Sequence, residues 1–239
     1  MKELPVIYEC EDYLAVNKPA GLLTLPDRYD TAQASLRQLL EDRYERIWVV
    51  HRLDRDTSGL VLFARNEATH RYLSGLFENR AISKTYLGIV VGSMPPGDGL
   101  ISEPIAEHPF RKGEMTVHKK GKPSRTEYKV LEDFGRYSLV EFRILTGRTH
   151  QIRVHARFAG HPVICDPVYG DGKPVMLSSF KKKYKPGAGD KTEQPLISRL
   201  GLHALRLGFT DVAGMSQILE APVPRDMRAL VQQLQRNRS

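Results

Sequence analysis

The stretch 50-VHRLDRDTSGLVLFAR-65 sets one aspartate between two arginines, follows it with a Thr-Ser-Gly turn and ends in an uninterrupted apolar run. Residues 60–64 of this run contain no polar side chain, which is typical of a short strand buried on both faces. Asp54 therefore lies at the edge of a buried strand. A neighbouring guanidinium would keep its carboxylate ionised, as a nucleophile or a base requires. The alternative is that Asp54, like Asp56, only bonds the amides of a turn.

The sequence on either side of this stretch predicts strands and helices in alternation. Residues 13–18 form an apolar run that ends in Asn-Lys-Pro-Ala-Gly, which indicates a strand followed by a turn. From residue 31, apolar side chains recur at helical spacing as far as Tyr44. Asn66 is placed to cap a second helix, and 84-KTYLGIVVG-92 returns to strand character.

The second half of the chain predicts antiparallel strands. Residues 126–134 and 137–144 lie on either side of Gly135 and indicate a hairpin. The stretch 149-THQIRVHARFAG-160 fits either a strand or a helix, and we predict a helix that ends at its last glycine. The remaining predicted elements are two strands and a terminal helix, near 203–210, 216–221 and 225–235. Together the elements predict an α+β fold, with a mixed, largely antiparallel sheet flanked by helices.

Composition limits the domain organisation and the kinds of partner. The 239 residues, 41% of them hydrophobic, can form one substantial core, and we expect a single domain over residues 1–239. The formal charge of +8 and the pI near 9.5 favour a polyanionic partner, with a merely soluble basic protein as the alternative. Only Cys10 and Cys165 occur, far apart, which argues against a disulfide framework and fits a reducing cytoplasm. The charged N-terminus is unlike a signal peptide, and no apolar run reaches about 18 residues, so we expect neither export nor a membrane span.

A second constellation, 147-GRTHQIRVHARFAGHP-162, concentrates basic side chains. On a helix His150, Arg153 and Arg157 share one positive face, which either binds an anion or is simply solvated. Arg148 follows a glycine where a loop meets the predicted helix, so its side chain is better placed to reach into a cleft.

Patterns typical of other chemistries do not occur. His150 and His155 are five residues apart and cannot form the i, i+4 pair that binds zinc, so we predict no metal site. Ser58 lacks the leading glycine of the G-x-S-x-G elbow of serine hydrolases. Neither a Walker nor a dinucleotide-binding glycine pattern is present.

Four motifs resemble those of a known family: HRLDRDTSGL at 51–60, KTY at 84–86, GRTHQIRVH at 147–155 and GHPVICDPVYG at 160–170. Their residues and their order resemble the RluA-type family of RNA pseudouridine synthases. The opening VIYECEDYLAVNKPAGLL, from residue 6, is similar to the start of that family's catalytic domain, and the similarity runs to about residue 224. The resemblance implies the pseudouridine synthase catalytic fold with an RNA-binding cleft.

The activity that the resemblance implies is isomerisation of uridine in RNA, in which uracil is detached from its ribose, turned and rejoined through carbon. Asp54 corresponds to the catalytic aspartate, and Arg148 to the arginine that pairs with it. Tyr86 corresponds to the tyrosine that packs against the uracil and takes a proton. Arg52 corresponds to the arginine that helps to displace the base, a step that needs groups to replace lost stacking contacts. No cofactor and no metal are implied.

The same motifs imply further contacts and a substrate class. Lys84, His150 and Arg153 are expected to contact the RNA, which is expected to be a structured tRNA or large-subunit ribosomal RNA bound by a monomer. Many family members carry an S4-type RNA-binding domain before the catalytic domain, and because the similarity opens at residue 6 we expect none here. We expect a core over about 6–224 and an exposed, lysine-rich loop at about 176–199.

Two other functions remain open. A noncatalytic RNA-binding protein could keep the fold, although a buried carboxylate near phosphates would not help it to bind. A nucleoside or ester hydrolase would need an activated water or serine, and the sequence offers no candidate. Without its motif, Tyr86 would be interpreted as a strand tyrosine packed in the core.

Overall fold

The structure is a computed structural model that describes residues 4–27, 30, 32–181, 184 and 192–238. Its strands, in chain order, are β1 (Val6–Glu9), β2 (Tyr13–Lys18), β3 (Trp48–Val49), β4 (Ser58–Ala64), β5 (Ser83–Val91), β6 (Asp98–Ile101), β7 (Ile105–Glu107), β8 (Met115–Val117), β9 (Thr126–Asp133), β10 (Tyr137–Ile144), β11 (Leu202–Thr210) and β12 (Ser216–Glu220). Its α-helices are α1 (Leu36–Glu41), α2 (Glu67–Glu78), α3 (Gln151–Phe158) and α4 (Arg225–Arg236). None of these helices has the length and apolar character of a membrane span.

The described residues divide into two compact units. Unit 1 contains the residues up to Tyr86 together with Arg143–Leu145 and His203–Pro222. Unit 2 contains Leu87–Phe142, Thr146–Leu202 and the residues from Val223 onwards. Each unit is assembled from separate stretches of the chain, and the single domain over 1–239 stays a prediction.

The sheet of unit 1 is built around β4. Strands β1, β2, β4 and β11 are neighbours in that order, with β3 beside β4 and β12 beside β11. The β4–β11 pair is parallel, whereas β4 is antiparallel to β2 and to β3. Every residue of β4 is buried, which confirms the predicted buried strand. Gly59 has a φ of +118°, and a Cβ there would overlap the backbone of Ala204 on β11, so only glycine fits.

Side-chain caps begin both helices of unit 1. Asn66 is confirmed as the N-cap of α2, because its side chain accepts a hydrogen bond from the Thr69 amide at 2.8 Å. Ser35 and Gln38 form a capping box at the start of α1. This helix has only 6 residues and ends before Tyr44, where the prediction extended the helical pattern. The Tyr44 hydroxyl instead donates to a carboxylate oxygen of Glu9 at 2.8 Å.

Unit 2 contains the predicted hairpin and three strands that were not predicted. Strands β5, β10, β9 and β6 are neighbours in that order, and β7 and β8 form a separate two-stranded sheet. The β9–β10 hairpin turns at Gly135, whose φ of +80° favours glycine. Strands β6, β7 and β8 have only three or four residues each, too few for an alternating pattern to be recognised.

The ambiguous stretch 149–160 is a helix, as predicted. After the last residue of α3, Gly160 takes a φ of +85°, and the amide of His161 donates to the carbonyl of Ala156 at 2.9 Å. This is the Schellman arrangement that ends many helices at a glycine. The predicted terminal helix is α4, which buries Met227, Leu230 and Leu234 along one face.

The predicted exposed loop at 176–199 is only partly described. Residues Leu177–Ser179 form a short 3-10 turn. Ile197 is buried and forms a β-bridge with Val175, so the prediction of exposure is wrong at this residue, whose apolar side chain joins the core. Residues 182–183 and 185–191, which include most of the lysine-rich part, lie outside the described residues.

Candidate active site

The loop that carries Asp54 is held by a buried lysine at the end of β2. Lys18 is fully buried, and its Nζ donates to the carbonyl oxygens of Pro19, Leu22 and Arg55 at 3.0, 2.7 and 2.9 Å. A buried ammonium group is tolerated where such oxygens replace its hydration. These bonds connect the loop after β2 to the residue that directly follows Asp54.

A second contact fixes the residue before Asp54. The hydroxyl of Thr24 donates to the carbonyl of Leu53 at 3.0 Å and accepts from the Leu53 amide at 3.2 Å. The amide of Thr57 also donates to the carbonyl of Asp54 itself at 3.2 Å. The backbone on both sides of Asp54 is therefore positioned in advance, which is what a reacting group requires.

Asp54 and Tyr86, both in unit 1 and both half-buried, interact electrostatically. Tyr86 packs against an apolar cluster that includes Leu53. Burial, and then the negative charge of Asp54, raise the pKa of the Tyr86 hydroxyl. A phenol with a raised pKa keeps its proton at neutral pH. Both predicted roles of Tyr86, packing against the uracil and taking a proton, stay predictions.

The two arginines that flank Asp54 in the sequence are exposed. Nε of Arg55 lies 3.3 Å from Oδ1 of Asp56, and an exposed ion pair of this kind contributes little to stability. Asp56 is thus paired with the guanidinium of its neighbour, and its predicted bonds to turn amides stay a prediction. Arg52 lies at the surface, where a side chain that has to reach an extruded base must be.

His51, the first residue of the HRLD motif, is a fixed hydrogen-bond acceptor. Its Nε2 accepts from the amide of Leu62 on β4 at 2.9 Å, and its ring stacks on Phe77 with centroids 4.5 Å apart. Burial, and then the positive charge of Lys84, lower the pKa of His51 to about 3. The imidazole is therefore neutral at physiological pH, and it anchors the start of the motif to β4.

Lys84 does not have the exposed position that its predicted RNA contact assumed. It is 9% exposed, and its Nζ lies 5.7 Å from the centroid of the Phe77 ring. Burial, and then the charge of Arg80, lower the pKa of Lys84. An ammonium group shielded in this way is poorly placed to reach a phosphate. Lys84 thus packs largely beneath the surface beside Phe77, and its contact with RNA stays a prediction.

In unit 2, Arg148 is positioned through its backbone. Its amide donates to Oε1 of Gln151 at 3.1 Å, and its Nε and Nη2 each lie 3.4 Å from the carbonyl oxygen of Pro123. Gln151, at the start of α3, was not predicted. Its Oε1 also accepts from the hydroxyl of Thr146 at 2.7 Å, so one buried amide oxygen holds both ends of the short loop 146–148.

The other end of the Gln151 side chain continues this network. Its Nε2 donates to the carbonyl of Arg125 at 3.0 Å and to the hydroxyl of Thr126 at 2.9 Å. His155 lies 2.8 Å from the same hydroxyl through Nδ1 and 2.9 Å from the carbonyl of Glu103 through Nε2. Because a carbonyl only accepts, Nε2 carries the proton and the Thr126 hydroxyl donates to Nδ1. Burial lowers the pKa of His155, which keeps this pattern intact at neutral pH.

The predicted positive face of α3 is wrong at Arg153. This residue is 4% exposed, and its Nε and Nη2 donate to both carboxylate oxygens of Asp166 at 2.7 and 2.8 Å. Its guanidinium also lies 4.9 Å from the centroid of the Tyr169 ring. The charge of Arg153 is thus buried and neutralised by Asp166, so Arg153 adds nothing to an exposed positive face of α3, and its contact with RNA stays a prediction. His150 is half-buried, with Nδ1 2.8 Å from the Tyr169 hydroxyl, and its RNA contact stays a prediction.

Lys18 and Gln151 position the loops that carry Asp54 and Arg148, yet neither was predicted from the sequence. A signal for Lys18 exists, because a charged residue ends a strand that starts with four apolar or aromatic residues. Gln151 lies inside the GRTHQIRVH motif, but an uncharged glutamine among basic residues gives no signal of this role. Among the described residues, no group of three or more His, Cys, Asp or Glu side chains could hold a metal ion.

Comparison with known proteins identifies the relatives of this chain. Residues 12–158 match the family model of RNA pseudouridylate synthase. The chain is 35% identical to ribosomal large subunit pseudouridine synthase D of Nitrosomonas europaea, over 96% of this chain and 64% of that protein. It is 35% identical to the protein of the same name from Escherichia coli O6:H1, over 96% of this chain and 70% of that protein. It thus spans 64% of the length of the Nitrosomonas protein.

Two solved human structures share the fold. The human RNA pseudouridylate synthase domain containing 1 is 28% identical with a TM-score of 0.71, covering 98% of this chain and 95% of that one. The human RNA pseudouridylate synthase domain containing 4 has a TM-score of 0.72 at 24% identity, covering 97% of this chain and 93% of that one. The predicted α+β fold with a mixed, mostly antiparallel sheet is confirmed.

Proposed function

Because the chain belongs to the RNA pseudouridylate synthase family, we propose that it converts uridines of RNA into pseudouridines. The reaction breaks the bond between ribose C1′ and uracil N1 and joins the same ribose carbon to uracil C5. The proton lost from C5 balances the proton gained at N1, so the reaction needs no oxidant, no reductant and no net water. It does need a group that reacts with the nucleotide and a surface that receives the detached base.

The observation that carries this proposal is the fixed, half-buried position of Asp54 beside Tyr86. We propose that the Asp54 carboxylate reacts with the nucleotide and that the Tyr86 ring stacks on the uracil. Arg52, exposed in the same motif, replaces stacking contacts that the extruded base loses. The proposal includes the pairing of Arg148 with Asp54 that the family resemblance implies.

Large-subunit ribosomal RNA is the substrate that we favour. Both bacterial relatives are named for the ribosomal large subunit. Structured tRNA is the second candidate. We further propose that the protein acts as a monomer in the cytoplasm, where both RNAs are present and where the free thiols of Cys10 and Cys165 would stay reduced.

The proposal is tested by mapping pseudouridine across total RNA from cells with and without the gene. At least one site in ribosomal RNA or tRNA should disappear with the gene and return with the wild-type protein, but not with Asp54→Asn. A map that does not change would contradict the proposal. A protein that binds the purified RNA but leaves every uridine unchanged would be the noncatalytic binder instead.

A further inference from the structure

Half of the formal charge of the chain is concentrated around β7 and β8. Residues 105–125 contain six Lys and Arg against two Glu, a net charge of +4 out of +8 for the whole chain. All six basic residues are exposed: Arg111, Lys112, Lys119, Lys120, Lys122 and Arg125. Such a concentration of positive charge around two short strands fits a partner that carries a negative charge at every repeat.

A groove of about 350 Å³ lies within unit 2 between β8 and α3. We call it the α3 groove. Two buried side chains, Val154 and Tyr169, line it together with His108, two arginines, Arg111 and Arg157, and one acidic residue, Glu114. The groove therefore combines an apolar base with a basic rim.

The guanidinium groups at this rim have N–H donors beyond those used in their contacts within the protein. Among the described residues, Arg157 makes long contacts through Nη1, at 3.4 Å from the carbonyls of Val168 and Tyr169. Arg111 pairs with Glu114 at 3.3 Å, and the Arg111 side chain is 61% exposed. Because a guanidinium carries five N–H donors, both residues can bind an anion without losing these contacts.

Exposed aromatic rings accompany the charge. Phe158 lines the groove and is 56% exposed, and Phe110 is 91% exposed. Phe110 lies edge-on to His108 with ring centroids 6.3 Å apart. Large exposed apolar side chains often mark a binding site. Proteins usually bind unpaired nucleotides by stacking the bases on aromatic rings that lie beside positive charges.

We propose that the α3 groove binds an unpaired nucleotide of the RNA other than the uridine that reacts. Its base stacks on Phe158, and the adjoining phosphates are bound by Arg111 and Arg157. This inference rests on the proposed function in assuming that the partner is RNA. An acidic peptide would satisfy the arginines but would leave the exposed ring of Phe158 without a stacking partner.

Binding of a fluorescein-labelled oligouridylate of about ten nucleotides tests the inference by fluorescence anisotropy. Phe158→Ala should weaken binding about tenfold, the effect of losing one base stack, and Phe158→Tyr should restore it. Arg111→Gln should lower the salt dependence by about one unit in the log–log slope. Unchanged binding by both Phe158→Ala and Arg111→Gln would overturn the inference, as would tighter competition by a poly-glutamate peptide than by unlabelled oligouridylate.

Matched controls exist in unit 1. Ile218→Ala removes an apolar side chain that is 70% exposed, and Arg71→Gln removes an arginine that is 76% exposed and paired with Glu67. Neither change should alter binding more than about twofold, because neither residue lies in the groove. A loss as large as that of Phe158→Ala would mean that any exposed apolar or basic residue has the same effect, which would overturn the inference.

Turnover separates this inference from the proposed function. Phe158→Ala should raise KM for a folded RNA substrate and leave kcat unchanged, because the nucleotide it binds does not react. A kcat that falls with KM unchanged would place Phe158 in the chemistry and overturn the inference. If the wild-type protein formed no pseudouridine while the Phe158 effect on binding persisted, the proposed function would fail and the groove assignment would stand.

Discussion

Asp54→Asn is the substitution that most directly separates chemistry from binding at the level of single residues. It removes the negative charge with almost no change in volume, and the surrounding basic residues stay in place. Turnover should vanish, because an amide is too weak a nucleophile or base to replace the carboxylate. RNA affinity should stay similar or rise, since repulsion between the carboxylate and phosphates is relieved. Single-turnover pseudouridine formation and a filter-binding titration measure the two effects.

Asp56→Asn is the matched control for this experiment. Asp56 lies two residues away and forms an exposed ion pair with Arg55, so its loss should leave turnover within about twofold of wild type. Near wild-type turnover in Asp54→Asn would contradict the proposal that the Asp54 carboxylate reacts with the nucleotide. Loss of RNA binding in a folded Asp54→Asn protein would instead make Asp54 an organiser of the binding surface.

Arg52→Ala should affect base extrusion and leave the reacting carboxylate intact. Extruding a base from a folded stem costs about a few kcal/mol in stacking and pairing, and Arg52 is exposed where it can offset part of that loss. The rate should therefore fall steeply on a stem-loop substrate and least on an RNA whose target uridine is already unstacked. Equal loss on both substrates would show that Arg52 does not act at extrusion.

His51 makes a specific prediction about stability at low pH. Its pKa is lowered from 6.5 to about 3, so the unfolded chain binds a proton that the folded protein excludes. The stability that depends on neutral His51 is complete above about pH 6.5 and is lost as the pH falls toward about 3. His51→Gln keeps an acceptor for the Leu62 amide but does not titrate. Urea unfolding at several pH values should show a shallower acid slope for the variant, and an equal slope would contradict a buried neutral His51.

At the scale of elements, the sequence predicted the strands and helices that depend on neighbouring residues. Strand β4 is a continuous apolar run, and α2 begins at a capping asparagine, so both were recognisable before the structure. The buried environment of Arg153 could not be predicted in the same way. Its burial depends on Asp166, which belongs to another segment, and on which face of α3 is covered. The proposed functions of Asp54 and Tyr86 came from the family resemblance, because spacing alone favours a turn aspartate and a core tyrosine.

The hydrogen-bond network at the start of α3 predicts that a substitution of similar size at Gln151 lowers the stability of the protein strongly. Gln151→Met removes an amide that bonds Thr146, Arg148, Arg125 and Thr126, and it leaves these buried groups without that partner. Each unsatisfied group costs about 1–3 kcal/mol, so the free energy of unfolding should fall by about 3 kcal/mol or more. Urea titration measures this loss.

Gln232→Met provides the comparison, because this glutamine is exposed on α4. Its free energy of unfolding should change by no more than about 0.5 kcal/mol. If Gln151→Met were as stable as Gln232→Met, the amide would not hold the loop that carries Arg148. If it were destabilised but folded, turnover should fall more than RNA affinity, since Arg148 is positioned through its backbone by this amide.

At the scale of the whole molecule, the formal charge of +8 predicts how the protein would meet its proposed RNA substrate. The positive charge is carried mainly by exposed side chains, whereas the buried Arg153 is neutralised by Asp166 and contributes little to the external field. Long-range attraction therefore comes from the surface, above all from residues 105–125. Under the proposed function, selection of one uridine depends instead on the few fixed groups around Asp54, which would act only after the RNA has bound.

Because surface charge attracts the RNA and fixed groups carry out the reaction, affinity for RNA should depend strongly on salt. The rate of the reaction at saturation should not. Each phosphate contact releases condensed counterions, so the affinity should fall by about tenfold or more between ~50 and ~200 mM salt if several phosphates are contacted. The rate of pseudouridine formation with RNA in saturating excess should change much less, because the reacting groups are fixed by bonds inside unit 1. Filter binding and single-turnover assays over the same salt series measure the two quantities, and unfolding of the protein and the RNA is monitored in parallel. An affinity that does not depend on salt would contradict the electrostatic account, and a saturated rate that fell as steeply as the affinity would show that surface charge also acts in the chemical step.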